Sequence, residues 1–136
     1  MTDENTVIAR KWRKQAIHDL DMAEKNVGIG GYDVAAFLSH QAVEKLLKGL
    51  IAYSGRPVQK THFIDELGWS LGFPDEILGY LMDLSGDYQF SRYPDISDDI
   101  PYEQYTEAIA RQRVETAREV FGHVADSIRE IFGGSC

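Results

Sequence analysis

Three long stretches of this chain place an apolar or small residue at every third or fourth position, and no stretch alternates with period two. The last of them is the most regular. Ala110, Val114, Ala117, Phe121, Val124, Ile128 and Ile131 follow one another by fours and threes without a miss. That spacing keeps one face of a 3.6-residue helix apolar, whereas a strand needs alternation. The chain is therefore predicted to be all-α, an antiparallel up-and-down helical bundle of four to five helices.

The helix limits follow from stop and start signals. A first helix is predicted over about Asn5 to Asn26, with Ile8, Trp12, Ala16, Leu20, Ala23 and Val27 inward. Arg10, Lys11, Arg13 and Lys14 take its wet side, and the glycines at 28, 30 and 31 end it. A second helix runs to about Tyr53, with Asp33 as its expected cap and Ala35, Ser39, Ala42, Val43, Leu46 and Leu50 as its buried stripe. Pro57 forbids continuation. Shorter helices are expected over Phe63 to Leu71 and Asp75 to Tyr88, then a loop over 89–101, then the last helix over Tyr102 to Phe132. Pro74 suits the start of the fourth, where its missing N–H is no loss.

A chain of 136 residues makes one domain, here 1–136. The net charge of −8 lowers the expectation of a broad basic surface for nucleic acid, without forbidding a local cationic patch. One cysteine, Cys136, allows no internal disulfide and no cysteine metal site. No signal peptide is visible, and no run approaches the roughly 18 apolar residues that span a bilayer. A cytoplasmic protein is expected, without membrane, metal or cofactor. His18 with Met22, or His40 with Glu44, supply only two ligands each.

Polar side chains crowd the second helix. His40, Gln41, Glu44, Lys45 and Lys48 lie within three turns beside its apolar stripe. Glu44 with Lys48, and Gln41 with Lys45, are i,i+4 pairs that could simply stabilise the helix. They could equally line a groove. Arg92 is the only Lys or Arg between Lys60 and Arg111, among Asp83, Asp87, Asp95, Asp98 and Asp99. It could pin its loop by pairing with one of them, or present its planar fork to a phosphate or carboxylate. Tyr88, Phe90 and Tyr93 could stack on a base or pack at a subunit interface. Thr61 is a plausible cap, and His62 either a helix-start hydrogen-bonder or part of a site. His123 is expected in solvent.

Ser39 to Lys48 (SHQAVEKLLK), with Tyr32 and Asp33 before it and Thr61-His62 and Ser91 to Asp95 (SRYPD) after it, resembles the HEPN domain of prokaryotes. The resemblance covers nearly the whole chain. It implies a helical bundle that pairs as a homodimer. It also implies a partnership with a minimal nucleotidyltransferase, as in toxin–antitoxin-like pairs, and a nucleotide or RNA ligand.

Catalytic members of that family carry Arg-x4–6-His late in the bundle. An arginine can stabilise the developing phosphorane charge while a histidine takes the 2′-hydroxyl proton. Here the expected place has Arg92 but no histidine after it. Arg13 with His18, and Arg56 with His62, have the spacing but lie too early in the chain. No catalytic residue is therefore assigned. The expected function is a non-catalytic module that binds a nucleotide, RNA or the nucleotidyltransferase. A metal-independent endoribonuclease toxin and a purely structural dimerising bundle are the alternatives. The expected ligand-binding set is Gln41, Glu44, Lys45, Lys48, His62, Arg92, Tyr93 and Asp95. Arg92 and Tyr93 should face the second helix across one groove, with His62 at its edge.

Overall fold

The second helix, α2 (Tyr32–Tyr53), is the axis on which the other elements assemble. In this computed structural model, which describes residues 3–125, seven helices and no strand occur among the described residues. They are α1 (Glu4–Gly28), α2, α3 (Ile64–Ser70), α4 (Asp75–Ser85), α5 (Asp87–Phe90), α6 (Pro101–Gln104) and α7 (Glu107–His123). The expected all-α bundle is what forms. Ile128, Ile131, Phe132 and Cys136 lie outside the described residues.

Direction reverses from one principal helix to the next. Gly30, with φ +83°, turns the chain between α1 and α2 in a conformation that suits a residue without Cβ. The α4–α5 segment returns along α2 and brings Tyr88 to the level of Phe37 and His40. α7 then runs parallel to α2. Ala35 shares a cluster with Ala110 and Val114, whereas Leu46 shares one with Val124.

Small residues set the α1–α2 distance. Ala9, Ala16 and Ala23 are seven residues apart and fully buried, and they meet a helix that buries Ala35, Ala36, Ala42 and Gly49. A methyl group at Gly49 would come within 2.9 Å of the Trp12 Cβ. The interior stripe of α1 is the expected one from Trp12 to Val27 and differs only at its start. Ala9 takes the inward place, and Ile8 is 46% exposed. The largest core cluster lies where Val43, Leu47 and Ile51 meet α3, α4 and α7 through Ile64, Leu67, Leu81 and Val120.

Several limits differ from those expected. Asp33 does not cap α2: the N-cap is Gly31, with Asp33 in the first turn. α4 stops at Ser85, and a separate turn, α5, carries Tyr88. The last helix is interrupted at Tyr105, whose backbone is extended. The Thr106 side chain then caps α7 by accepting from the Ile109 N–H at 3.2 Å. No helix among the described residues is long and apolar enough to cross a membrane.

Candidate functional site: a buried carboxylate, a half-exposed imidazole and an aromatic-seated arginine

Three segments converge at one place. They are the first half of α2, the chain entering α3, and the α5 turn with the residues after it. His40 is fully buried on α2. Its Nε2 lies 2.9 Å from the His62 carbonyl oxygen, so Nε2 carries the proton and donates. Its Nδ1 then accepts from the Gln41 amide at 3.3 Å. Burial lowers the His40 pKa from 6.5 to about 4, outweighing the nearby Glu44 carboxylate. His40 is thus neutral at neutral pH, and its 3.9 Å approach to Glu44 is not an ion pair.

Glu44, also buried, has other partners. One oxygen accepts from Lys48 at 3.1 Å, and the other from His62 Nδ1 at 3.0 Å. Burying two charges costs desolvation that good geometry only partly offsets, so this pair argues for positioning more than for stability. What Glu44 positions is the His62 ring, whose side chain is 47% exposed. With Nδ1 bound to the carboxylate, Nε2 has no protein partner among the described residues. The ring also stacks on Tyr88, with centroids 4.0 Å apart and planes 12° apart.

Arg92 reaches the same aromatic ring. Its guanidinium carbon lies 4.3 Å from the Tyr88 centroid, 4.5 Å from Phe37 and 4.7 Å from Tyr93. Rings at this distance attract a cation through their quadrupole. Its Nε donates to the Tyr88 carbonyl at 2.9 Å. No carboxylate among the described residues pairs with it. Asp87, five residues before it, is buried and taken: it accepts from Tyr105 and from Arg113, each at 2.7 Å. Burial raises the Asp87 pKa, and these two donors oppose the rise. The clamp joins α5 to α7 directly behind Tyr88 and Arg92.

The expected groove is thus assembled in part. Gln41, Glu44, His62, Arg92 and Tyr93 are linked through Tyr88, and His62 lies at the centre of the contacts rather than at an edge. Lys45 turns away and is held by Asp19 of α1. Lys48 is buried against Glu44. Asp95 is exposed, with no side-chain hydrogen bond or ion pair among the described residues. Arg56 is bound to Ser54 and Ser70, so the Arg56/His62 spacing assembles no pair. Thr61 accepts from the Phe63 N–H and donates to Glu66 at the entry to α3. Exposed His18 lies apart on α1, and His123 meets Phe73 edge to face. Phe37 escaped sequence reasoning, because it reads as one more apolar residue on a helix.

Beside His62 and Tyr88 opens a cleft of about 470 Å³, lined also by Lys60, Phe63, Gln89 and Phe90. Phe63 and Phe90 are exposed there. No group of three or more potential metal ligands occurs among the described residues. The arrangement offers two cations without a carboxylate partner among the described residues, Arg92 and Lys60, with one oriented imidazole and several open aromatic faces.

Comparison with known proteins matches the HEPN domain over residues 9–128. No functionally curated protein matches. The chain is similar to the crystal structure of TT1696 from Thermus thermophilus, at 31% identity and a TM-score of 0.80 over 87% of this chain and 96% of that one. It is similar to ST0689, an archaeal HEPN homologue, at 36% identity and a TM-score of 0.76 over 88% and 97%. The HEPN domain protein tm0613 from Thermotoga maritima shares the fold at 20% identity and a TM-score of 0.70, over 87% and 97%. The match spans the helices that build the cleft, and the chain belongs to the HEPN domain family.

Proposed function

We propose that the cleft at His62 and Tyr88, together with Arg92 against the same Tyr88 ring, binds the phosphate-bearing end of a nucleotide or of single-stranded RNA, as a non-catalytic HEPN module. The observation that carries this reading is Arg92: an exposed guanidinium, braced by three rings, with no carboxylate among the described residues to neutralise it. Phosphate would take the guanidinium fork. A base would stack on the exposed aromatic faces beside it, worth about 1–3 kcal/mol per base. The family resemblance supports a homodimer and a nucleotidyltransferase partner in a toxin–antitoxin-like pair. This reading sets the protein in the cytoplasm, where such ligands and partners are.

The test is calorimetric titration in EDTA with AMP and with a 5′-phosphorylated RNA oligonucleotide. Saturable binding is expected, weakened about tenfold or more by Arg92→Ala, with the melting temperature nearly unchanged. Absence of binding at millimolar ligand, or indifference to Arg92→Ala, refutes the reading.

One observation favours a second reading, a metal-independent endoribonuclease. The Glu44–His62 bond fixes the imidazole tautomer and leaves Nε2 for proton transfer. In that chemistry Nε2 takes the 2′-hydroxyl proton, the 2′-oxygen bonds to phosphorus, and the P–O5′ bond breaks as O5′ leaves with the electron pair and takes a proton from water. Arg92 would stabilise the charge that develops on the phosphorane. RNA cleavage in EDTA that disappears in His62→Ala and Glu44→Gln would replace the binding reading with this one. Intact RNA after prolonged incubation excludes it.

A further inference from the structure

A second concave surface lies on α3 and α4, built of residues that the first cleft does not use. It encloses about 710 Å³. Asp75, Leu78, Gly79 and Met82 form one face of α4 at i, i+3, i+4 and i+7, and Asp65, Glu66 and Trp69 bring up α3. Trp69 is 77% exposed and Met82 66%. An exposed tryptophan beside an exposed methionine is an adaptable apolar floor of the kind that marks a contact surface.

Gly79 has no role in the fold that accounts for it. It lies inside α4, where glycine is less favourable than alanine. A Cβ there would meet nothing within 4 Å, and its φ is not in the left-handed region. A missing side chain in the floor of a groove lets another backbone approach closely.

The rim selects the charge of the occupant. Three carboxylates line the groove and no Lys or Arg does. Arg56 is bound to Ser70 at one edge. A second copy of this chain, itself at −8, would bring like charge to the contact, and an anionic membrane would be repelled. We propose that this groove docks a basic amphipathic helix of a protein partner, its apolar stripe on Trp69, Gly79 and Met82 and its lysines or arginines over Asp65, Glu66 and Asp75.

The probe is a fluorescein-labelled helical peptide of about 18 residues, leucine at i, i+3, i+4 and i+7 and lysine elsewhere. Anisotropy should rise and saturate with the full chain, and a glutamate version of the peptide should not bind. Gly79→Leu fills the groove while improving helix propensity. It should weaken binding about tenfold or more with no loss of melting temperature. Trp69→Ala should do the same. The double reversal Glu66→Lys with Asp75→Lys should transfer preference to the glutamate peptide. Binding that ignores Gly79→Leu and Trp69→Ala is general charge attraction and overturns the proposal. So does a native mass that halves on Trp69→Ala in light scattering, because a second copy would then be the occupant.

Discussion

His40 and Glu44 stand one helical turn apart in nearly the same degree of burial, yet one is neutral and the other is paired with a cation. The difference has a measurable signature. The folded His40 pKa lies near 4 and its ordinary value is 6.5, so between these the unfolded chain binds more protons than the folded one. The contribution is whole above pH 6.5 and is lost as pH falls towards 4, amounting to about 3 kcal/mol across the window. Urea unfolding at pH 7 and 4.5 should show this loss, and His40→Gln should flatten it. An unchanged slope in the variant contradicts the assignment. At this scale the sequence marked the polar cluster on α2 but not its wiring. Lys45 and Lys48 both read as cations for a ligand, because spacing along a helix does not reveal what a neighbouring helix brings. Asp19 of α1 captures Lys45, and burial commits Lys48 to Glu44.

Among the elements, α1 and α2 depend on contact between small residues rather than interlocked large ones. Gly49→Ala puts a methyl group against the Trp12 Cβ and, at 3.4 Å, the Ala9 carbonyl oxygen. Overpacking of this kind typically costs about 1–3 kcal/mol. A melting curve for Gly49→Ala that matches the parent would mean that the helices separate without strain. Periodicity revealed each principal helix, since repeated apolar positions survive small errors of phase. It blurred the break at Tyr105, where no glycine or proline gives notice. Two weaker features produce that break together: the Thr106 side chain competes for the Ile109 N–H, and the Tyr105 hydroxyl is drawn to Asp87. The departure at the start of the α1 stripe has a related origin. Alanines carry little weight in an apolar count, yet Ala9 is buried where the larger Ile8 is not.

For the molecule as a whole, exposed aromatic surface exceeds what a lone bundle of this size needs to show even apart from the α3–α4 groove: Phe63, Phe90, Tyr93 and Tyr102 all lie open. Light scattering at micromolar concentration should give twice the 15.4 kDa chain mass, and a value of one chain mass removes the dimer. The Asp87 clamp carries a different consequence, for the order in which the fold comes apart. Tyr88 and Arg92 lie on a short turn that would ordinarily open on its own, as exposed turns do. Because Asp87 is held by Tyr105 and Arg113, that turn cannot swing free until α7 lifts from its place. The backbone amides of Ser91 to Tyr93 should therefore exchange hydrogen at a rate close to that of the α7 amides, while those of 95–100 exchange freely. Arg113→Ala should uncouple the two, releasing the turn early while the remainder of α7 stays closed.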